Sequence, residues 1–269
     1  MIRTPAVAGS FYPADPDVLT RDLDRLAAGR RPPPSPRAVA LMVPHAGYVY
    51  SGGVAASTYT AAGLSRRVVL LGPNHTGAGE AIAVVERGAW RTPLGEAPVD
   101  AALAAAILAA CRAARADTEA HRREHSLEVQ IPFLQHLVTG LSVVPICVGT
   151  RRLEALLDLG RAVAEAVAAA GDEVLIVLSS DMSHYQPAAV ARRDDDRALA
   201  RVLALDPEGL HREVTGGDIS MCGVAPVVAG IEAARRLGGR DARLVAYGNS
   251  GDRNGDYQSV VGYAGVAVV

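Results

Sequence analysis

An apolar run leads directly into a polar loop at LIVLSSDMSHY, from Leu175 to Tyr185. The same pattern occurs at LMVPHAGY, from Leu41 to Tyr48, and at VVLLGPNH, from Val68 to His75. Short apolar runs bounded by polar loops are typical of buried strands. Each of the three loops carries a histidine. If the three strands share one sheet in parallel orientation, these histidines will lie together at one edge of it.

The rest of the chain alternates between segments with strand and helix patterns. Strands are predicted over residues 38–43, 67–71, 81–85, 141–148, 173–178, 243–247 and 258–268, and helices over residues 15–28, 99–114, 153–170, 188–204 and 223–237. This alternation predicts an α/β fold with a central mixed, mostly parallel sheet covered by helices on both faces. We expect residues 1–269 to form one domain, with the N-terminal helix and proline-rich connector of residues 1–37 packed on its core.

The composition excludes several classes of function. The formal net charge of −2 does not point to nucleic acid or to an anionic membrane. The 27 basic residues are all arginine, so Schiff-base lysines and P-loop lysines are excluded. The three cysteines form no CxxC pair and no even set, which is typical of reduced thiols. With no apolar stretch long enough to span a bilayer and no secretion signal, we expect a cytoplasmic protein.

The polar residues after the three strands define a candidate site. Ligands of open α/β sheets bind outside the carboxyl ends of the strands. His45, His75 and His184 are therefore expected to face one pocket, with Asp181 beside His184 in the same loop. Cys222 lies just before the predicted helix at residues 223–237, where the helix dipole would lower its pKa and favour thiolate. A thiolate in this position could bind a metal or attack an electrophile.

His125 is a further candidate, because it lies between a charged run and an apolar helical pattern. Ser126 is the predicted cap of that helix, which would leave His125 outside it and free to face the pocket. An ordinary surface position explains His125 equally well. We interpret the remaining histidines, and the acidic residues beside His125 unless the fold brings them inward, as surface residues: His121, His136, His211, Glu124 and Glu128.

Several strings resemble the motifs of one protein family, the Memo-like family. They are TPAVAGSFYP (4–13), PHAGYVYSG (44–52), LGPNHTG (71–77), WRTPLGEAPVD (90–100), EHSLEVQIPFLQ (124–135), SSDMSHY (179–185) and MCG (221–223). Such proteins are component B of the AmmeMemoRadiSam system in prokaryotes. The family is similar in fold to class III extradiol ring-cleaving dioxygenases, which are non-haem iron enzymes.

The resemblance implies roles for individual residues. His45, His75 and Cys222 match the positions of the family's proposed metal ligands. Asp181 and His184 match its other pocket residues, with His125 nearby, and we assign these three to catalysis. The ring-cleaving enzymes use two histidines and a carboxylate for Fe(II). A cysteine in the third position widens the choice of metal from Fe(II) to Cu or Zn.

Three functions are compatible with these residues and with the resemblance. The first is a metal-dependent oxidoreductase, similar to the dioxygenases, that acts on an unknown small molecule. The second is a non-enzymatic binding or adaptor module, whose pocket accepts a peptide or another protein of the AmmeMemoRadiSam system. The third, and least favoured, is a hydrolase with Cys222 as nucleophile. Metal retention after purification separates the first from the second.

Overall fold

The computed structural model of the protein describes residues 1–171 and 173–269. The strands in this part of the chain are β1 (Ile2–Arg3), β2 (Ala40–Val43), β3 (Arg67–Pro73), β4 (Ile82–Val84), β5 (Ala89–Thr92), β6 (Gly95–Pro98), β7 (Arg115–Ala116), β8 (Ser142–Val148), β9 (Val174–Ser179), β10 (His184–Gln186), β11 (Ala242–Asn249) and β12 (Val260–Val268). The helices are α1 (Pro16–Ala27), α2 (Tyr48–Tyr59), α3 (Ala101–Ala110), α4 (Gln130–Leu137), α5 (Leu153–Ala169), α6 (Ala188–Leu203), α7 (Pro207–Gly216), α8 (Val224–Arg236) and α9 (Gly251–Asn254). Among these helices there is none whose length and apolar character would let it cross a membrane.

A large sheet forms the centre of the fold, in the order β10-β12-β2-β9-β3-β8-β4-β7, with β11 also paired to β12. Its central strands β2, β9, β3 and β8 are parallel to one another. Strands β12 and β4 run antiparallel to β2 and β8, so the sheet is mixed. The predicted α/β fold with a mixed, mostly parallel sheet and flanking helices is confirmed.

The three strands that precede the histidine loops end at the same edge of the large sheet. In the registers of β9 with its two neighbours, Val43 lies opposite Ser179 and Leu71 lies opposite Leu178. All residues of β2 and β9 are buried, which explains why both strands are continuously apolar in sequence. The parallel arrangement predicted from the apolar runs is therefore confirmed.

Local patterns missed three helices, α2, α7 and the short α9. Helix α2 contains the pair Gly52–Gly53, and glycine is unfavourable in a helix interior. Packing requires a small residue here, since a Cβ on Gly52 would lie 2.8 Å from Leu26 Cδ1 of α1. The predicted helix at residues 99–114 is also too long, because the backbone turns extended at Cys111 and ends α3.

The N-terminal segment is attached to the rest of the protein at three places. Leu19 and Leu23 of α1 are fully buried. Ahead of α1, the buried carboxylate of Glu128 accepts hydrogen bonds from Arg3 Nη1 at 2.6 Å and from Tyr12 Oη at 2.7 Å. A separate small sheet, in the order β1-β5-β6, joins the first residues of the chain to the β5–β6 hairpin.

Candidate metal centre

Three histidines meet at the edge where β2 and β3 end. One ring nitrogen from each of His45, His75 and His125 lies within 4.8 Å of the other two. The ring centroids of His75 and His125 are 4.6 Å apart, and that of His45 lies 5.2 Å and 5.5 Å from them. Imidazole is a ligand of zinc, copper and iron. These three side chains are close enough for one ion to draw them together.

His45 has its ring orientation and tautomer determined by a chain of hydrogen bonds. Its Nδ1 lies 2.9 Å from the Ser179 hydroxyl oxygen. That hydroxyl donates its hydrogen to the Ser126 carbonyl at 2.7 Å and accepts from Gln130 Nε2 at 2.9 Å. Because its only hydrogen is used, the hydroxyl must accept from His45, so Nδ1 carries the proton and Nε2 is left as a free lone pair. Burial, followed by the neighbouring imidazoles, lowers the pKa of His45 and keeps the ring neutral.

His75 is oriented by the carboxylate of Glu124. Its Nδ1 lies 2.8 Å from Glu124 Oε1, and its backbone N–H donates to Oε2 at 2.6 Å. Burial acts to raise the pKa of Glu124, but the hydrogen bonds from His75 and Ser126 outweigh it and lower the pKa to about 2. An ionised carboxylate only accepts, so Nδ1 carries the proton and Nε2 is available to a metal. A carboxylate behind a ligating histidine is a common arrangement in metal sites.

His125 completes the cluster as a possible metal ligand, and its catalytic role stays a prediction. Its ring is stacked on that of His75 and lies 4.8 Å from the ring of Phe11. Its Nδ1 is 3.6 Å from Glu124 Oε1, too far for a hydrogen bond. Burial lowers the pKa of His125, which favours the neutral form that binds metals.

The predicted helix cap at Ser126 is wrong. Helix α4 begins only at Gln130, and residues 126–129 form a turn ahead of it. The Ser126 hydroxyl instead donates to the carbonyl of Pro73 at 3.2 Å. This bond joins the turn to the end of β3 and brings the preceding residue, His125, next to His75.

Asp181 and Cys222 lie close to the ring of His45. Cys222 Sγ is 3.3 Å from His45 Nε2, the nitrogen that would bind a metal. Asp181 Oδ2 is 4.0 Å from the same nitrogen, and its Oδ1 accepts the backbone N–H of His45 at 2.7 Å. A metal ligand role for Cys222 and a catalytic role for Asp181 stay predictions.

The expectation of a lowered pKa for Cys222 is wrong. Burial, and then the nearby Asp181 carboxylate, raise the pKa of its thiol. The residue does precede α8, whose N-cap is Gly223, but desolvation of the thiolate outweighs the helix dipole. A Cβ on Gly223 would lie 2.4 Å from Ser180 Cβ, so a glycine at this position lets α8 approach the strand end closely, and Cys222 is half-buried there.

His184 lies beside the site, as the first residue of β10. Its Nδ1 is 3.0 Å from the carbonyl of Ser220, and its backbone N–H donates to the Ser220 hydroxyl at 2.8 Å. A carbonyl only accepts, so Nδ1 donates and Nε2 is the nitrogen that can take a proton. The predicted acid/base role of His184 stays a prediction.

Two residues that orient the cluster, Glu124 and Ser179, were not predicted from the sequence. Glu124 is fully buried, although it stands in the charged run RREH. The only local signal for a role of Glu124 at the site was its position directly before a histidine, His125. His121, interpreted as a surface residue, is also buried, with 1% of its surface exposed.

The chain is similar over nearly its whole length to proteins of one family. A family model described as Memo-like protein matches residues 3–267. A MEMO1 family protein of Aquifex aeolicus is 44% identical over 266 residues, covering 98% of both chains. One from Methanopyrus kandleri is 40% identical over 278 residues, covering 99% of this chain and 98% of the relative. One from Methanocaldococcus jannaschii is 38% identical over 286 residues, covering 99% of each.

Proposed function

Because this chain belongs to the Memo-like family, we propose that its histidine cluster binds one metal ion and that the protein is a metal-dependent oxidoreductase acting on a small molecule. Fe(II) is the first choice of metal, with Cu and Zn as alternatives. The observation that carries the proposal is the convergence of His45, His75 and His125 within 4.8 Å.

The cluster fits a metal by its chemistry as well as by its spacing. Hydrogen bonds hold the Nδ1 protons of His45 and His75, so that Nε2 of each ring, in its neutral form, is the nitrogen that would bind a metal. Glu124 balances part of the charge of a cation and orients His75. An ion held by these three residues would keep coordination positions open for O₂ or substrate and would supply Lewis-acid or, with Fe or Cu, redox chemistry. His45 and His75 belong to this set of three histidines and also to the ligand set predicted from the sequence, in which Cys222 is the third ligand.

The residues around the cluster have separate roles in this proposal. Phe11 packs on His125 and limits the access of water to that ring. Burial raises the pKa of Asp181 to about 6, so its carboxyl group can hold or release a proton close to neutral pH. His184, oriented through Ser220, would exchange a proton with substrate at Nε2.

A non-enzymatic binding module is the second candidate. Large apolar or aromatic side chains are exposed on the segments that follow His45 and His184. Val49 has 63% of its surface exposed, Tyr50 has 41% and Tyr185 has 79%. A peptide, or another protein of the AmmeMemoRadiSam system, could cover these side chains. The hydrolase alternative is disfavoured because the raised pKa of Cys222 leaves little thiolate to act as nucleophile.

Metal stoichiometry tests the proposal. The wild type, His125→Ala, Cys222→Ser and the control His136→Ala would be prepared without oxygen and offered Fe(II), Cu(I) and Zn(II) separately. His136 lies on α4 and contacts Asp24, outside the cluster. Elemental analysis should find one ion per chain in the wild type and in His136→Ala, and a large loss in His125→Ala.

The other outcomes distinguish the alternatives. If Cys222→Ser loses the bound metal and His125→Ala retains it, the ligands are His45, His75 and Cys222 instead. If the wild type binds none of the three metals, the proposal of a metal-dependent oxidoreductase is wrong. The non-enzymatic binding module is then the favoured function.

A further inference from the structure

A buried carboxylate contacts the segment of residues 181–184, which carries Asp181 and His184. It belongs to Asp195, which lies on α6 and has none of its surface exposed. Its Oδ1 accepts the backbone N–H of Ser183 at 2.8 Å, and Ser183 is the residue directly before His184. A charge that is buried in contact with two candidate acid–base residues needs an explanation, because burial of a carboxylate is costly.

The second oxygen of this carboxylate is held by Tyr247 of β11. Asp195 Oδ2 accepts the phenolic O–H at 2.7 Å. The phenol ring in turn lies against Arg192, whose guanidinium carbon is 4.4 Å from the ring centroid. Burial raises the pKa of Asp195, and the hydrogen bonds from Ser183 and Tyr247 oppose that shift. Each carboxylate oxygen therefore has a donor, which fixes the side chain in one orientation.

Gly262 of β12 makes room for this carboxylate. A Cβ at this position would lie 2.1 Å from Asp195 Oδ2 and would displace it. The same glycine pairs with the 181–184 segment through its backbone, because its carbonyl accepts Met182 N–H at 2.8 Å and its N–H donates to the Ser183 carbonyl at 2.8 Å. A glycine at this position therefore lets α6, β12 and the segment meet at one point.

Three consecutive backbone N–H groups of the segment donate to three different elements. The donors are Met182, Ser183 and His184. Their acceptors are the carbonyl of Gly262 in β12, the carboxylate of Asp195 in α6 and the hydroxyl of Ser220 ahead of α8. Ser183 is fully buried, so water cannot replace the acceptor of its N–H without a movement of the segment. The ring of His184 depends on this placement, since its Nδ1 bonds to the carbonyl of Ser220 at 3.0 Å.

We propose that Asp195 is a positioning residue for His184. By accepting the Ser183 N–H, it holds the segment where His184 Nδ1 meets the Ser220 carbonyl, which leaves Nε2 to exchange a proton with substrate. Asp195 itself touches no substrate. The inference rests on the acid/base role of His184 in the proposed function.

Substitutions of Asp195 separate the hydrogen bond from the charge. Asparagine keeps an oxygen that can accept the Ser183 N–H, and its NH₂ group can donate to the hydroxyl of Tyr247. Alanine leaves the Ser183 N–H unpaired, so the segment should move to find another acceptor. Asp195→Asn should therefore retain the placement of His184, and Asp195→Ala should lose it.

The tautomer of His184 reports this placement. In metal-free protein labelled with ¹⁵N-histidine, at about pH 8 and so above the ordinary pKa of histidine, the two ring nitrogens of His184 should give well-separated chemical shifts. One belongs to protonated Nδ1 and the other to unprotonated Nε2. His184→Ala identifies these signals among the seven histidines. In Asp195→Ala the ring should exchange between its two tautomers, so the separation should shrink. In Asp195→Asn it should stay as in wild type.

Asp194→Ala is the matched control. Asp194 is the neighbouring residue on α6, is also buried, and pairs with Arg193 and Arg197. Its removal costs the helix a buried carboxylate without removing the acceptor of the Ser183 N–H. The separation between the two shifts of His184 should stay as in wild type, which a general loosening of α6 would not allow.

Gly262→Ala breaks the same contact while the carboxylate is still present. Its Cβ would displace Asp195 Oδ2, so the separation should shrink as in Asp195→Ala. Mixed tautomers of His184 in the wild type would overturn the proposal, even if neither variant folds. An unchanged separation in Asp195→Ala, or an equal loss in Asp194→Ala, would overturn it as well. An equal loss in Asp195→Asn would show that the charge acts on His184 and would overturn the positioning role. The measurement needs neither metal nor turnover, so its failure is distinguishable from a failure of the proposed function.

Discussion

The two sides of the histidine cluster contain buried carboxyl groups with opposite acid–base behaviour. The glutamate side consists of Glu124, His75 and His125, and the pKa of Glu124 is lowered to about 2. The cysteine side consists of Asp181, Cys222 and His184, and burial raises the pKa of Asp181 to about 6.

Hydrogen-bond donors explain the difference. Both carboxyl groups are desolvated, and desolvation alone favours the neutral form. Glu124 accepts the ring N–H and backbone N–H of His75 and the backbone N–H of Ser126, which stabilise its charge. Asp181 accepts the backbone N–H of His45, which only partly offsets its burial. Two carboxyl groups whose pKa values are pushed apart are typical of acid–base division in active sites. The glutamate side is suited to orienting ligands, and the cysteine side to exchanging protons.

Removing the charge of Glu124 should produce the largest effect. Glu124→Gln keeps an oxygen for the backbone donors but no longer stabilises the tautomer of His75 that binds a metal. Affinity for the bound metal should fall by about 10–100-fold, as measured by competition with a chelator. Glu119→Gln, in the same loop with 59% of its side chain exposed, is the matched control. Equal losses in both variants would contradict an orienting role for Glu124.

The pH dependence of stability should separate the two carboxyl groups. The folded pKa of Asp181, about 6, exceeds the unfolded value of about 4, so the folded state binds this proton more tightly. Its contribution to stability is then lost as pH rises from about 4 to about 6, by about 3 kcal/mol for a two-unit shift. Asparagine does not ionise, so metal-free Asp181→Asn should not show this loss of stability between about pH 4 and about pH 6.

Urea unfolding of the metal-free protein across this pH window measures the effect. The free energy of unfolding of Asp181→Asn, relative to wild type, should increase with pH and level off above about pH 6. The contribution of Glu124 to the free energy of unfolding has the opposite dependence on pH. Because the pKa of Glu124 is lowered in the folded protein, this contribution is fully present above about pH 4.5 and is lost as pH falls towards 2. A difference between Asp181→Asn and wild type that does not change with pH would show that Asp181 is not perturbed.

Alkylation of Cys222 should show a smaller effect on the cysteine side. In the metal-free protein at about pH 8, the raised pKa leaves little thiolate, so iodoacetamide should react at least about tenfold more slowly than in the urea-unfolded chain. Mass spectrometry of the peptide that contains Cys222 separates its rate from those of Cys111 and Cys147. A faster reaction in the folded protein would instead support a thiol pKa lowered by the helix dipole.

The smallest effect on metal binding is expected for His184→Ala. The side chain of His184 is anchored to Ser220 and is outside the group of three histidines. Metal affinity should stay within about twofold of wild type, while any turnover falls by about 10²–10⁴-fold if His184 is a general acid or base. Loss of metal in this variant would move His184 into the ligand set.

The fold was largely predictable because its central strands carry a local signal. Strands such as β2 and β9 are buried on both faces, so almost every residue in them is apolar, and the polar loops mark their ends. Helix α2 was not predictable in this way, because its Gly52 is explained by a contact with Leu26, a residue distant in the chain.

The candidate site was predictable where it depends on strand ends. His45 and His75 follow β2 and β3, so the sequence by itself determined that they would meet at one sheet edge. The tertiary structure decided the rest. Glu124, His125 and Ser126 stand in a charged run that looks exposed, but the contact of the following turn with the end of β3 buries Glu124 and Ser126 and leaves His125 half-buried. The pKa of Cys222 likewise depends on desolvation by residues far away in sequence, which no local pattern contains.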